Sequence, residues 1–149
     1  FRLSFAVQRR FAIIHVGIPG DAAFAALLRR EAEQEGFDPP LTSAASGRLV
    51  ELFSSRGLLG VRPLGPAAVL DLIRYVRRRA AEGGAGVGDA VAEGMSMYVL
   101  PQLEGLEHDL AVRAHALAIE ALGGWTSPEA RSELSSRFAD LFPHVQFSA

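Results

Sequence analysis

The chain has 149 residues, of which 49% are hydrophobic and 21% charged, and its formal net charge at pH 7 is −2. A chain of this length and apolar content can bury a real core, which excludes a disordered tail and fits one domain, or one small domain with part of another. The weak net charge excludes the global positive field that marks many nucleic-acid-binding proteins, although it still allows local basic stripes.

The sequence contains no cysteine and no lysine, and these two absences exclude several kinds of catalytic and binding site. Cysteine is absent, which excludes disulfides, thiolate nucleophiles and zinc ribbons. All 15 basic residues are arginine, so this chain contains neither a P-loop lysine nor a Schiff-base lysine. Contacts to phosphate would therefore come from arginine or from the backbone.

Hydropathy along the chain argues against a membrane protein. No apolar run approaches the roughly 18 residues of a membrane span, and no signal-peptide pattern opens the chain. We therefore expect a soluble, cytoplasmic protein without a membrane partner. The first residue is Phe1, and the residues after it resemble the middle of a domain, so we expect the chain to be a piece of a longer protein.

The first predicted element is a strand at residues 11–16 (FAIIHV), a short β-branched apolar run between two arginines and the GIPG turn. Helices are predicted from there on. Asp21 is a plausible N-cap for a helix that Gly36 stops, and a second helix is predicted from Thr42 or Ser43 to about Arg56.

In the middle of the chain, segments rich in glycine and proline alternate with predicted helices. Residues 56–66 (RGLLGVRPLGP) contain too much glycine and proline to be predicted as helix. Pro66 suits the first turn of a helix that runs to about Glu82. We expect this helix to bury Val69, Leu70, Ile73 and Val76.

The second half of the chain is predicted to be helical after a flexible connector at residues 83–88 (GGAGVG). One helix begins at Asp89, and Pro101 marks its end or a kink. Two more are expected at about 106–122, closed by two glycines, and at about 128–141. Because a lone buried strand needs neighbours for its backbone hydrogen bonds, the strand at 11–16 indicates an α/β core outside this chain.

Three segments carry a resemblance to a known family. Residues 3–19 (LSFAVQRRFAIIHVGIP) resemble the LxxALRRRFxxIxIxxP signature late in the core of AAA+ ATPases of the MoxR and McrB types. Residues 62–80 (RPLGPAAVLDLIRYVRRRA) resemble the lid helix that begins beside the nucleotide in those proteins, and residues 98–106 (YVLPQLEGL) resemble the closing part of the lid. The resemblance therefore covers most of residues 3–106.

The resemblance implies a mainly α chain in which a lid bundle of about six helices follows one strand left from an α/β AAA+ core. Residues 1–19 would be the end of the core, residues 20–105 the helical lid and residues 106–149 a C-terminal helical extension. The full-length protein would bind ATP and Mg²⁺ and form a homo-oligomeric, hexameric ring with a protein partner. This piece lacks the Walker motifs and would not hydrolyse ATP alone.

The candidate catalytic residues are Arg9 and Arg10. By the resemblance, one of them is similar in position to the arginine finger that reaches the γ-phosphate of ATP on the neighbouring subunit. Such a cation stabilises the charge that develops on the transferred phosphoryl group. On composition alone the alternative is a solvated pair that ends a helix.

The candidate nucleotide-binding residues lie at the start of the lid helix: Arg62, Gly65, Pro66 and Ala67. MoxR-type proteins carry a sensor arginine where this chain has Pro66 or Ala67, and this departure favours the McrB type. The free backbone amides of a helix start can face a phosphate. A capped helix packed in a bundle is the alternative.

The remaining polar clusters are interpreted as structural. The basic cluster of residues 74–79 predicts a solvated helix face, with backbone contact to nucleic acid as the alternative. The four histidines have no metal-ligand spacing, and no nucleophile, base and orienting group occur together. Trp125 is expected to anchor the last helix, or else to join an exposed partner site with residues 143–147.

The function implied by the resemblance is the lid portion of a ring ATPase, either a MoxR-type protein that resembles chaperones or a McrB-type protein that moves DNA. The alternative is a stand-alone helical interaction or dimerisation module without an ATPase role.

Overall fold

The computed structural model describes residues 19–33, 43–83 and 86–147. These residues form seven α-helices and no strand, so the prediction of a mainly helical bundle is confirmed. The strand predicted at residues 11–16 lies outside the described residues, as do Arg9 and Arg10. The origin of the chain in an α/β core therefore stays a prediction.

Helix α1 spans Asp21–Glu33 and helix α2 spans Ser43–Leu52. Asp21 was expected to cap α1, but the helix begins at Asp21 and the Phe24 N–H donates to the Gly20 carbonyl at 2.9 Å. The Asp21 carboxylate instead accepts from the Ser55 N–H at 2.9 Å and from the Ser55 hydroxyl at 2.6 Å. Asp21 therefore ties the start of α1 to the turn after α2.

The second helix ends at Leu52, earlier than the predicted Arg56. The Ser54 hydroxyl donates to the Glu51 carbonyl at 2.8 Å, and the Gly57 N–H donates to the Ser54 carbonyl at 3.0 Å. A Cβ on Gly57 would lie 2.2 Å from the Leu52 carbonyl oxygen. A local serine hydrogen bond and a close backbone approach thus replace the last predicted turn.

A one-turn helix α3, Leu58–Val61, lies inside the stretch that was predicted to be non-helical. That prediction was wrong because tertiary packing outweighs the glycine and proline content: Leu58 and Val61 are buried, and α3 packs against a later helix. Burial of such a side chain contributes about 1.5–3 kcal/mol, more than the helix propensity of a single glycine removes.

Helix α4, Pro66–Ala81, has Gly65 as its N-cap and Pro66 in the first turn, as predicted. Its buried side chains are Val69, Leu72, Ile73 and Val76. Leu70, expected in this set, is only partly buried, and Leu72 takes the core position.

Helix α5, Val87–Gly94, begins two residues before the predicted Asp89 and continues into a π-helical turn, Met95–Val99, and a 3₁₀ turn, Leu100–Leu103. The connector predicted over residues 83–88 is therefore shorter, since Gly86 is the N-cap of α5 and Gly88 is buried within it. Pro101 lies in the first turn of the 3₁₀ segment, directly after the π turn, in agreement with the end or kink predicted there.

Helices α6, His108–Leu122, and α7, Pro128–Leu141, follow the prediction closely. Gly123 is the C-cap of α6, and Gly124 has a φ of +83°, which favours glycine after a helix end. Ser127 caps α7 through its hydroxyl, which accepts from the Ala130 N–H at 3.1 Å.

The helices pack in a closed circuit. Helix α1 contacts α2 and α4, α4 contacts α5, α5 contacts α7, α7 contacts α6, and α6 contacts α2, with α3 resting on α6. The buried side chains of all seven helices form one hydrophobic cluster. No helix among the described residues is long and apolar enough to cross a bilayer.

This single cluster includes core residues from both sides of the boundary predicted near residue 105. Helices α6 and α7, from the predicted extension, close the circuit between α2 and α5. The division of the chain into core end (1–19), lid (20–105) and extension (106–149) stays a prediction.

Candidate functional site

The predicted nucleotide-binding residues are placed together at the amino end of α4. Leu64 is buried and fixes the entry to the helix, whereas Gly65 and Ala67 are exposed and Pro66 is partly exposed. Among the residues that the structure describes, no side chain caps this end, and no atom lies within 4 Å of where a Cβ on Gly65 would be. The described part of the chain therefore leaves the start of α4 uncovered.

Arg62 is held by a segment distant in sequence. Its Nη1 donates to the main-chain carbonyl of Glu104 at 2.5 Å, and its own N–H donates to the Leu58 carbonyl at 2.9 Å at the end of α3. Glu104 follows the 3₁₀ turn and precedes Gly105, which has a φ of +78°. Arg62 thus joins two of the segments that carry the resemblance, residues 62–80 and 98–106.

The amino end of α4 carries a partial positive charge that can attract an anion, and this charge comes from the backbone amides. The first-turn amides of a helix lack intrahelical partners and carry a partial positive charge. Pro66 supplies no N–H, so Ala67 and Ala68 are the first residues of the helix that can donate from the main chain. Because the Arg62 side chain already donates to Glu104, a ligand here would meet backbone amides before it meets the guanidinium.

The basic cluster on α4 is more involved in packing than the predicted solvated face. Arg74 Nε donates to the Glu31 carboxylate of α1 at 2.9 Å, and Arg77 donates to the Glu31 main-chain carbonyl. Glu31 is 7% exposed. Two arginines of α4 therefore hold the end of α1.

Arg79, the third arginine of the cluster, contacts α5 and not α1. Arg79 Nε lies 3.1 Å from the Glu93 carboxylate of α5, and Arg79 Nη1 lies 3.8 Å from Glu82. Burial, followed by the hydrogen bond to Glu93, raises the pKa of Tyr75 beside this pair. Arg78 is exposed, as predicted. Arg74 and Arg77 thus contact α1 and Arg79 contacts α5. The four arginines therefore do not form one continuous basic surface.

His115 is the buried polar residue of α6. Its side chain is 5% exposed, and Nε2 lies 2.9 Å from the Ser135 hydroxyl of α7. Burial lowers the pKa of His115 below its usual value. His108 is exposed and lies 3.1 Å from Asp109. Among the described residues, no three His, Asp or Glu side chains are grouped to hold a metal ion.

Trp125 packs against the core, but the side-chain contacts described for it are to α6 and α2, so its expected role as an anchor for the last helix stays a prediction. Its indole N–H donates to the Ala121 carbonyl at 2.8 Å, and the Arg48 guanidinium lies 5.8 Å from the ring centroid. Arg48 also donates to the Gly123 carbonyl at 2.7 Å. Through its contacts with Trp125 and Gly123, Arg48 therefore holds the end of α6 against α2.

Sequence reasoning missed the π-helical turn at Met95–Val99. Such turns occur often at functional positions. Here the turn packs against α4, with the Tyr98 and Tyr75 ring centroids 5.9 Å apart. No residue pattern in the stretch MSMYV signals a π turn, so periodicity could not have found it.

The structure places Arg62, Gly65, Pro66 and Ala67 in one region, while Arg9 and Arg10 lie outside the described residues. Comparison of the chain with models of protein families, with curated proteins and with solved structures finds no match.

Proposed function

We propose that this chain is the C-terminal lid portion of an AAA+ ring ATPase of the MoxR or McrB type. In this proposal Arg9 or Arg10 serves as the arginine finger for ATP on the neighbouring subunit. The amino end of α4, with Arg62, Gly65, Pro66 and Ala67, faces the nucleotide. ATP and Mg²⁺ are bound by the full-length ring, and their remaining ligands lie in other parts of that protein.

The observation that carries the proposal is the open amino end of α4. It is exposed, none of the described side chains caps it, and it is positioned by the hydrogen bond between Arg62 and Glu104. A nucleotide phosphate or ribose beside these amides would gain hydrogen bonds that the helix does not use itself. The two segments that the hydrogen bond joins are the two that resemble parts of one lid.

The packing of the lid supports a mechanical role. Contacts around the closed circuit of helices connect α4 to α5 and α1, and through them to α6 and α7. A bundle with one shared core moves as a unit, so a shift at the start of α4 would be passed to the whole bundle. In a ring, that motion would transmit nucleotide state between subunits.

The full reading frame that encodes this chain provides the first test. The proposal predicts a GxxxxGK[ST] loop and a strand that ends in acidic residues upstream of Phe1. It also predicts ATP turnover by the purified full-length protein, with Mg²⁺ required. A reading frame without such a loop would contradict the proposal. The neighbouring genes would separate a chaperone system from a DNA-moving restriction system.

A stand-alone interaction or dimerisation module is the second candidate. The observation that favours it is Met97, which is 50% exposed and is the exposed large hydrophobic residue among those described. Sedimentation of this chain over a range of concentrations would test it: a dimer that Met97→Ser dissociates, and that Arg113→Ser leaves intact, would favour the module over the lid.

A further inference from the structure

The last described residues form a strap across the groove between α6 and α7. We define the C-terminal strap as residues 142–147. Phe142 is buried, and the Val145 N–H donates to the Phe142 carbonyl at 2.9 Å, which turns the chain back toward the bundle. Phe147 then lies with its ring centroid 4.7 Å from His115 and 5.8 Å from Phe138. The strap therefore covers the histidine.

His115 lies between the strap and α7 in a mostly apolar setting. Its ring meets Phe138 edge to face at a centroid distance of 5.2 Å, and its Nε2 pairs with the Ser135 hydroxyl at 2.9 Å. The groove around it is otherwise lined by aliphatic, serine and proline side chains, with Arg131 as the charged residue. No carboxylate lines this groove among the described residues.

On α7, Glu129 and Glu133 line a neighbouring cleft that shares Pro128, Ser132 and Ser136 with this groove, and Arg137 and Asp140 line another cleft. Arg48, Glu51 and Arg56 line a separate cleft with Glu120 of α6. His144, within the strap, is exposed. Among the residues that the structure describes, an imidazolium at His115 would thus have Arg131 as its charged neighbour in the groove and no carboxylate lining the groove to stabilise it.

We propose that the C-terminal strap is a pH-sensitive latch: neutral His115 holds it closed over the groove between α6 and α7, and protonation of His115 releases it. Within the strap, Phe142 belongs to the main core, whereas Val145 and Phe147 are only partly buried and pack against it. The end of the strap, held through Phe147, is therefore the part that opens. Release returns the imidazole to water, where its charged form is solvated. Release also uncovers the partly buried Ile119 on the groove wall.

Hydrogen exchange of this chain, measured by mass spectrometry at about pH 8 and about pH 5 and corrected for the intrinsic rate, tests the latch. We expect protection of the strap peptide that carries the Val145 amide, which donates to the Phe142 carbonyl, to fall several-fold at the acidic pH. Protection in the middle of α4, which does not contact the strap, should change little. Equal protection of the strap at both pH values would overturn the proposal, and so would a parallel loss across α4.

Two histidine variants identify the titrating group. His115→Gln keeps a hydrogen-bonding side chain toward Ser135 but cannot titrate, so strap protection should become independent of pH. His144→Gln, an exposed histidine of the strap itself, should retain the full response. If His115→Gln does not fold, the ¹³Cε1 shift of His115 followed by NMR in the wild type replaces it. Its titration midpoint must then coincide with the change in strap protection, and separate midpoints would contradict the latch.

Discussion

Gly88 of α5 lies against the main-chain carbonyl of Trp125 so closely that a Cβ at Gly88 would be 1.8 Å from that oxygen. The obstacle is backbone, which cannot rotate away as a side-chain tip can. This contact fixes the distance between α5 and the turn that leads from α6 to α7. Glycine at this position is therefore required by packing.

Gly88→Ala should destabilise the bundle by about 2–4 kcal/mol, because the added methyl group must push two backbone segments apart. Gly47→Ala is the matched control: Gly47 lies on α2, and no atom of the described residues lies within 4 Å of where its Cβ would be, so the variant should gain about 0.5–1 kcal/mol from helix propensity. Urea unfolding followed by circular dichroism measures both. Equal effects of the two variants would contradict the close contact.

Ser127 stabilises the start of α7 in two ways, through its hydroxyl bond to the Ala130 N–H and through its own N–H, which donates to Asp89 at 2.7 Å. Ser127→Ala removes only the first and should cost about 1 kcal/mol in the free energy of unfolding. Ser132→Ala, at an exposed position of the same helix, should change the stability by less than about 0.5 kcal/mol. A Ser127→Ala variant as stable as the wild type would argue against the cap.

The buried His115 predicts the sign of the pH dependence of global stability. Burial lowers its folded-state pKa, whereas the unfolded-state pKa is about 6.5. The unfolded chain therefore binds more protons between these two values, so this contribution to stability is complete above about pH 6.5 and declines as the pH falls toward the folded-state pKa. Urea midpoints over this range should decrease in acid, and His115→Gln should flatten the decrease. A wild-type midpoint that rises in acid, with a His115→Gln midpoint that rises equally, would contradict this assignment.

Arg62→Ala should loosen the turn at Glu104 and Gly105, because the carbonyl of Glu104 loses the guanidinium that it accepts from. Glu104 is exposed, so water can replace the lost donor, and the cost should be modest, about 0.5–1.5 kcal/mol. Faster hydrogen exchange at residues 104–106 is the readout, and Arg113→Ala on the exposed face of α6 is the control. Unchanged exchange at these amides would show that Arg62 does not hold the turn.

Helical periodicity was enough to predict α4, α6 and α7. Their ends coincide with strong local signals: Pro66 and Pro128 in the first turns, and two glycines after Leu122. Local preference and tertiary packing agree in these helices. The sequence could therefore be read there without knowledge of the packing.

The departures occur where a long-range contact overrides local preference. Leu58 and Val61 become helical because their side chains are buried against α6. Gly88 lies inside α5 although glycine weakens a helix, and the space that its side chain would need is occupied by the Trp125 carbonyl, which is distant in sequence. In the candidate site, the start of α4 was predictable from Pro66, but the bond from Arg62 to Glu104 was not, since it spans 42 residues.

ATP turnover by the full-length protein tests the central claim most directly when Arg9 and Arg10 are both replaced by alanine. If one of them is the arginine finger, turnover should fall by about 10³-fold or more while ATP binding is retained. The Arg113→Ala control should keep wild-type turnover. Addition of the double variant to wild-type rings should lower turnover more than dilution alone, because each finger would act on a neighbouring subunit. Turnover by the double variant equal to that of the wild type would contradict the account.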